Sequence, residues 1–390
     1  MNDIYQGREQ TQAKHFILET YLKALAMKVL NSGYYSSLSY VDGFSGPWEA
    51  RTEDFSDTSF KIALSVLSDV SKFFRDQGKP KEIRCFFVEK NKGSFSRLQT
   101  EVEPYNQPLI GFKVKAVNGQ FEDSVGAIQE FTKDSFALMF IDPTGWTGYP
   151  LDKIGPLLRQ SNGEILLNFM FDFINRFASS RNESIVESFE PILGKDWNTK
   201  IEGWPKPRGE AAEELFMRNL KRAGGYKFAL STKIEKTHEK RPHFALVYAT
   251  RNYKGLKTFR DIEYKALSAH EEHLSAARTD AKFNRTGQSS LFAEEAGFEQ
   301  LKGAALKGAS DFIATRISAV TKLTFESLAA QAMEKFMVRE THVKDICVEL
   351  AKLGKIEATW KLRGSKIQKP DQDDLLIWIG EDTPPTPPWL

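Results

Sequence analysis

Short apolar runs that alternate with amphipathic helical segments constrain this chain more than any other feature. The runs lie in SLSYV, IRCFFVEKN, FKVKAVNGQF, FALMFIDPTGW and GEILLNFMFDF. Strands that alternate with helices in this way build a parallel sheet that is covered on both faces. We therefore predict an α/β fold of the Rossmann-like type.

The segments on either side of this region complete the first domain. Residues 14–31 place Leu18, Tyr21, Leu22 and Leu25 on one face, which predicts an amphipathic N-terminal helix. YKFALSTKIE and PHFALVYATRN are two strands around a charged turn, and we expect them to end the sheet as an antiparallel hairpin. The predicted first domain spans residues 1–255.

The rest of the chain predicts a second, smaller domain. Residues 256–304 are polar and helical and are interpreted as a connector. LTFESLAAQAMEKF and THVKDICVELAKLG are predicted helices, the second stopped by Gly354, and KIEATWKL and DLLIWIG are predicted to form a hairpin. Helix, helix and hairpin over residues 305–380 indicate a winged-helix-like domain, followed by a Pro-rich tail at 381–390.

Composition excludes several classes of protein. No apolar run approaches the roughly 20 residues that a membrane span needs, so no membrane association is expected. The polar N-terminus favours neither a secretory signal nor a transit peptide, and two isolated cysteines favour a reducing, cytoplasmic compartment. His270 and His273 lie three residues apart without an evident third ligand, so no metal site is predicted.

Polar residues and glycines follow each predicted strand. Ligands of open α/β sheets bind outside the carboxyl ends of the strands, so these residues are the candidate site. A glycine-containing loop lets a ligand approach the backbone, and an acid after the second strand accepts hydrogen bonds from ribose hydroxyls. The candidates are Asp42, Gly43, Phe44, Ser45 and Gly46, then Glu89, then Asn118, Gly119, Gln120 and Phe121, and finally Asp142 and Pro143.

Each strand end also has a simpler interpretation. An acid after a strand is often a solvated end, and Asp142-Pro143 alone is most often a turn. Four strand ends in the right order nevertheless favour a nucleoside-type ligand. The loop is not GxGxxG, which disfavours a nicotinamide or flavin dinucleotide.

Five segments in order resemble the three-Cys-motif partner family. They are KHFILETYL, SYVDGFSGP, FFVEKN, MFIDPTGW and PHFALVYATRNYKGLKTFRDIEY, and the resemblance covers residues 14–265. It implies a class I methyltransferase-like fold, S-adenosylmethionine as cofactor, and a partner protein with a three-cysteine, iron–sulfur-type motif. Some members of this family carry a C-terminal winged-helix extension, which the resemblance therefore also implies here.

The resemblance assigns roles to individual positions. The loop 42–46 matches the segment that holds the methionine part of the cofactor, and Glu89-Lys90 matches the ribose acid and its neighbour. Asp142 and Pro143 match the residues beside the transferring methyl group. Lys14 and His15 match an opening Lys-His pair that covers the cofactor or reaches the substrate, although His15 alone is also explained as a packed or capping residue.

Two departures from the family pattern bear on function. Trp48 stands where the loop usually continues with another glycine. Asp-Pro-Thr-Gly at residues 142–145 lacks the Asp-Pro-Pro-aromatic string of enzymes that methylate exocyclic amines. Trp146 is open to two interpretations, a platform that stacks a base or a packed side chain.

The predicted winged unit carries local positive charge, although the whole chain has a net charge of only +2. Residues 301–370 contain 13 Lys or Arg against 7 Asp or Glu, so this segment favours phosphate contacts. Such a unit also commonly binds protein, and both alternatives stay open. The candidate nucleic-acid-binding residues are Lys355, Lys361, Arg363, Lys366 and Lys369.

Two functions follow from the sequence. The first is an S-adenosylmethionine-dependent methyltransferase that acts on DNA or RNA, or on a target delivered by its iron–sulfur-type partner. Asp142, Lys14 and His15 would then be the catalytic residues. The alternative is a non-catalytic nucleotide-binding partner or scaffold beside a three-Cys-motif enzyme.

Overall fold

The computed structural model describes residues 5, 8–46, 50–52, 54–177, 182–236, 239–286, 297–320, 322–364 and 366–380. The chain divides into two compact units, Met1–Arg251 and Asn252–Leu390. The division falls a few residues before position 255, where the sequence placed the end of the first domain.

A seven-stranded sheet forms the centre of the first unit. Its strands are β1 (Ser37–Asp42), β2 (Glu82–Glu89), β3 (Phe112–Asn118), β4 (Phe136–Ile141), β5 (Gly163–Phe169), β6 (Phe228–Lys236) and β7 (Glu239–Thr250). They lie in the order β3-β2-β1-β4-β5-β7-β6. The first five are parallel, and β7 runs antiparallel to both β5 and β6. The predicted Rossmann-like α/β fold with an antiparallel terminal hairpin is confirmed.

Burial explains why the central runs are so apolar. Every residue of β1 and of β5 is buried, because helices cover both faces of the sheet. The edge strand β3 instead alternates, with Lys113 and Lys115 exposed. Lysines on an open edge discourage the addition of a foreign strand.

Helices cover the sheet. They are α1 (Glu9–Asn31), α2 (Ser59–Asp76), α3 (Lys92–Val102), α4 (Val125–Thr132), α5 (Leu151–Leu158), α6 (Phe171–Phe177), α7 (Glu183–Ser188), α8 (Glu190–Leu193), α9 (Trp197–Lys200) and α10 (Arg208–Gly224). The predicted N-terminal helix is present but begins at Glu9 rather than at residue 14. Its apolar face is the predicted one, with Leu18, Tyr21 and Leu22 fully buried.

The second unit is mainly helical. It contains α11 (Tyr253–Thr286), α12 (Gly297–Val320), β8 (Lys322–Thr324), α13 (Phe325–Lys335), α14 (Glu340–Lys352), a 3₁₀ helix (Thr359–Arg363) and β9 (Leu375–Ile377). The two predicted helices correspond to α13 and α14. Gly354 follows α14 with a φ of +68°, a backbone conformation that favours glycine after a helix.

The predicted hairpin at the end of the second unit is largely wrong. Thr359–Arg363 forms a 3₁₀ helix instead of a strand, and β9 pairs with β8. A single bridge between Ile356 and Trp378 is what the structure records of the predicted pairing. The 3₁₀ turn buries Trp360 and lets Arg363 reach Asp374 at 2.7 and 2.5 Å, so side-chain burial overrides the strand pattern.

The segment predicted as a connector is helical, and its first part packs within the second unit. Tyr253 and Lys257 of α11 each donate a hydrogen bond to Glu340, both at 2.9 Å, and Arg260 donates to the Met333 carbonyl at 2.6 Å. The Pro-rich tail at 381–390 lies outside the described residues. No helix of the described part is long and apolar enough to cross a membrane.

Candidate active site

The carboxyl ends of the five parallel strands lie side by side along one edge of the sheet. β1 lies between β2 and β4, which is the point where the strand order reverses and where ligands of such sheets bind. Strand pairing therefore brings five side chains that are far apart in the sequence to one edge. They are Asp42, Glu89, Asn118, Asp142 and Asn168.

Asp42 supports the loop that follows β1. Its carboxylate is fully buried and accepts hydrogen bonds from the Phe44 N–H at 3.0 Å and from the Ser59 hydroxyl at 2.8 Å. Burial raises the pKa of Asp42 from 3.8 to about 6, and the nearby Asp142 charge adds to that shift. The acid predicted to be part of a ligand loop is thus used to hold the loop in shape.

The loop satisfies most of its own backbone donors. Besides the Phe44 N–H, the Gly43 N–H donates to the Phe140 carbonyl at 3.0 Å, and the Ser45 N–H donates to the Val88 carbonyl at 2.9 Å. These three N–H groups are therefore not available to a ligand carboxylate. Gly46 ends the described loop, and Trp48 lies outside the described residues.

Gly43 lies directly under an aromatic ring. A Cβ atom on Gly43 would stand 2.8 Å from Cδ2 of Phe121, closer than real side chains approach. Phe121 is buried, and its ring centroid lies 5.8 Å from that of Phe44. The close approach that the glycine permits is thus made by Phe121, which the sequence placed beside an adenine.

The neighbouring polar residues bind the chain itself. Gln120 donates through its amide to Asp123 at 3.1 Å, and the Gly119 N–H donates to the Glu89 carbonyl at 3.1 Å. Asn118 donates through Nδ2 to the carbonyls of Glu89 and Lys90, at 2.8 and 3.2 Å. These bonds fix the loop after β3 against the loop after β2.

Glu89 offers an oxygen at this edge. Its Oε1 accepts the Asn91 N–H, whereas no hydrogen bond of Oε2 is recorded among the described residues. Burial raises the pKa of Glu89 above its usual value. A buried carboxylate at the end of β2, with one oxygen that has no recorded partner in the described part of the chain, is suited to accept hydroxyl donors from a ligand.

Asp142 lies at the end of β4 between two donors. Lys14 of α1 places Nζ 2.5 Å from Oδ2 of Asp142, and Asn168 at the end of β5 places Nδ2 2.6 Å from Oδ1. The Lys14 ammonium also lies 5.6 Å from the centroid of the Phe244 ring. Helix α1 thus brings a residue from the start of the chain into the predicted site, next to Pro143.

His15 is a neutral residue of the same helix. Its Nδ1 is 3.0 Å from the Tyr5 hydroxyl, and burial lowers the pKa of His15 from 6.5 to about 3. The positive charge of the Lys-His pair is therefore carried by Lys14. Arg8 reinforces this segment through an ion pair with Asp57 at 2.7 Å.

Two members of the site were not found from the sequence. Tyr5 carries no motif, and only the fold brings it to His15. Asn168 did carry a signal, because it ends the apolar run EILLNF in the same way that Asp142 ends FALMFID. The rule that selected Asp142 would have selected Asn168 as well.

Trp146 belongs to an aromatic cluster. Its ring stacks on Phe189 at 4.9 Å, lies 5.4 Å from Phe173, and its Nε1 donates to the Ser188 hydroxyl at 2.9 Å. Of the two interpretations that the sequence left open, the geometry matches the packed side chain.

The basic residues of the second unit differ in their surroundings. Arg363 is held by Asp374, and Lys369 lies 2.5 Å from Asp345. Lys361 and Lys366 are exposed. Lys355 lies directly after α14, where its N–H donates to the Leu350 carbonyl.

Comparison with known proteins adds little to this geometry. No family model and no curated protein matches the sequence. Among solved structures, protein LPL1258 of Legionella pneumophila, of family DUF519, is 11% identical over 63% of this chain and 86% of its own, with a TM-score of 0.32. Loganic acid methyltransferase with SAH is 10% identical over 68% and 85%, with a TM-score of 0.29. Likenesses this distant carry no functional argument.

The sheet itself therefore defines the class. Its strand order and the polar residues along one edge are those of a Rossmann-like α/β protein with a class I methyltransferase-type sheet. Among the described residues, no group of three or more His, Cys, Asp or Glu is arranged to hold a metal ion.

Proposed function

We propose that the first unit binds S-adenosylmethionine at the carboxyl edge of the sheet and transfers its methyl group. The target would be nucleic acid, or a nucleic-acid-associated molecule presented by a three-Cys-motif, iron–sulfur-type partner. The observation that carries the cofactor assignment is Glu89, whose Oε2 has no recorded partner among the described residues and lies where a ribose acid belongs. The position at the end of β2, next to the order reversal, supports the same ligand.

The residues around Asp142 supply what a transfer reaction needs. The cofactor would bring an activated methyl group, and the chain would mainly position the acceptor. Asp142 would orient the acceptor and take up its proton, since a carboxylate within hydrogen-bond reach is suited to that task. Asn168 would hold the Asp142 carboxylate in a fixed geometry, and in the free protein Lys14 pairs with the other oxygen of that carboxylate.

The fit to the cofactor is better at the ribose than at the methionine end. Glu89 offers an acceptor, but the N–H groups of Gly43, Phe44 and Ser45 already have partners within the chain. A bound methionine carboxylate would thus depend on Gly46 and on the residues after it.

Calorimetric titration tests the assignment. We expect wild-type protein to bind S-adenosylmethionine and S-adenosylhomocysteine with micromolar affinity. The affinity of Glu89→Ala for both compounds should be at least tenfold lower. Glu130→Ala is the matched control, because Glu130 is an exposed acid on α4 with no recorded side-chain partner. Equal loss in both variants would contradict a ribose role for Glu89.

A second function is favoured by the loop geometry. The internally satisfied N–H groups and the buried Phe121 ring also suit a non-catalytic scaffold that keeps the fold without the cofactor. That function predicts no heat with either compound at high concentration. It retains the partner and the nucleic-acid surface of the first proposal.

Nucleic-acid binding by the second unit is part of both functions. The exposed Lys361 lies within the short 3₁₀ helix and the exposed Lys366 lies after it, and these two are the basic residues best placed for phosphates. A cytoplasmic location is kept as well, since Cys85 and Cys347 are buried free thiols.

A further inference from the structure

Within the described part of the chain, the Lys14 ammonium contacts a carboxylate and lies near the face of an aromatic ring. Oδ2 of Asp142 lies 2.5 Å from Nζ, and the face of the Phe244 ring lies 5.6 Å away. An ionised carboxylate donates no hydrogen bond, and an aromatic face attracts cations. This cradle, formed by Asp142, Asn168 and Phe244, is thus suited to a positively charged or N–H-bearing nitrogen.

Asn168, which binds the other oxygen of Asp142, carries an acceptor for which the described residues provide no partner. Its Nδ2 must face Asp142, since that carboxylate only accepts hydrogen bonds. The amide oxygen Oδ1 consequently points away from Asp142, and it is buried without a hydrogen-bond partner among the residues that the structure describes. An unpaired buried carbonyl is destabilising, so its retention at the ligand edge of the sheet points to a donor from outside the chain.

We propose that this cradle selects a nitrogen nucleophile that carries N–H bonds, an amine or exocyclic amino group, which takes over the place that Lys14 holds. The proposal rests on the proposed methyl transfer and names the class of its acceptor. The N–CH₃ bond forms as the S–CH₃ bond of the sulfonium breaks, which leaves a neutral thioether. The proton released from the nitrogen passes to the Asp142 carboxylate.

The same acceptors disfavour other nucleophiles. A carboxylate substrate would meet Asp142 with like charge, and a thiolate would meet the same repulsion. An alcohol can donate one hydrogen bond, whereas a neutral amino group has two N–H bonds and can donate to Asp142 and Asn168 together. The cradle therefore compensates for the missing Asp-Pro-Pro-aromatic string noted in the sequence.

Chemical rescue of Lys14→Ala tests the cradle directly. n-Propylammonium replaces the atoms that this substitution removes, so we expect it to raise the thermal midpoint of Lys14→Ala by about 2–4 °C at saturating concentration. n-Propanol and propionate should have no such effect. Lys14→Met, which fills the cradle without a nitrogen, is the control that propylammonium should leave unchanged. Equal effects of the three compounds on Lys14→Ala would overturn the proposal.

A substitution series gives an independent measurement if Lys14→Ala does not fold. Acceptors around position 14 require the order of stability Lys, then Gln, then Met, then Glu, because Gln still donates N–H bonds and Glu does not. An apolar environment would instead place Met above Gln. That reversed order would also refute the cradle.

The two proposals fail in different ways. If calorimetry shows that wild-type protein does not bind S-adenosylmethionine, the proposed methyl transfer is wrong, whether or not propylammonium stabilises Lys14→Ala. If the cofactor binds but rescue shows no preference for the amine, methyl transfer stands and the assignment of a nitrogen acceptor is wrong.

Discussion

The Cα of Gly43 lies so close under the ring of Phe121 that a Cβ atom there would stand 2.8 Å from Cδ2. The φ of Gly43 is not in the left-handed region, so the requirement for glycine comes from the ring rather than from the backbone. A glycine that looks like a cofactor contact in the sequence is thus explained by internal packing.

Gly43→Ala should therefore lower the free energy of unfolding by about 1–3 kcal/mol, the usual cost of overpacking a core. Urea unfolding measures it. Gly119→Ala is the control, because its nearest atom, the Ser124 hydroxyl, would lie 3.9 Å from the new Cβ. Combining Gly43→Ala with Phe121→Leu should recover part of the loss, and strict additivity would mean that the ring is not the cause.

The buried Asp42 predicts one pH dependence. Its pKa is raised from 3.8 to about 6, so the native state binds a proton more tightly than the unfolded chain does. Its contribution to stability is therefore fully present below about pH 3.8 and is lost as the pH rises through about 6. Over that window, the free energy of unfolding of Asp42→Asn should rise relative to that of wild type, by up to about 3 kcal/mol. Unfolding curves that stay parallel from pH 4 to 7 would contradict this.

His15 predicts a pH dependence of the opposite sign. Its pKa is lowered from 6.5 to about 3, so the unfolded chain takes up a proton that the buried ring refuses. Wild type should lose stability as the pH falls from about 6.5 toward 3, and His15→Asn should lose less. Asn keeps an acceptor near Nδ1 for the Tyr5 hydroxyl. Urea midpoints between pH 4 and 7 measure the difference, and an unchanged slope in the variant would refute a neutral His15.

The proposed nucleic-acid surface of the second unit leads us to expect salt-dependent binding to duplex DNA or RNA. Lys361→Glu with Lys366→Glu should weaken binding and reduce the slope of log K against log salt by about 2, because two phosphate contacts are lost. Arg363 is left intact, since its pairing with Asp374 stabilises the unit. Fluorescence anisotropy at several salt concentrations measures both effects.

The control for that experiment reverses the same charge elsewhere in the unit. Lys307 and Lys322 are exposed and make no recorded side-chain contact. Lys307→Glu with Lys322→Glu should bind duplex as wild type does. If both double variants weaken binding equally, net charge alone explains the interaction.

Local sequence signals predicted the centre of the sheet well because the strands β1, β4 and β5 are buried at nearly every residue. β1, β4 and β5 appear as apolar runs, and the polar residue after each run gives its carboxyl end. Parallel pairing then brings those ends together without further information. This is why Asp42, Glu89 and Asp142 were found from the sequence.

The remaining features depend on contacts between distant segments. The sequence does not show that Phe121 covers Gly43, or that Lys14 reaches Asp142 across 128 positions. The 3₁₀ turn at Thr359–Arg363 was mistaken for a strand because Trp360 and its neighbours have β propensity. Burial of that one ring decides the conformation there.

The hydroxyl of Tyr21 in α1 lies 2.6 Å from that of Tyr248 in β7. Tyr21 also donates a hydrogen bond to the buried Glu164 of β5, and Thr250 of β7 donates to the same carboxylate. The earliest helix of the first unit is thus fastened to its latest strand. A chain still being synthesised cannot close this unit until β7 has emerged, and until then β5, which is buried at every residue in the folded unit, has an open edge. Assembly of the site at Asp142 is for that reason a late event in folding, and a fragment that ends before β7 should aggregate rather than bind a ligand.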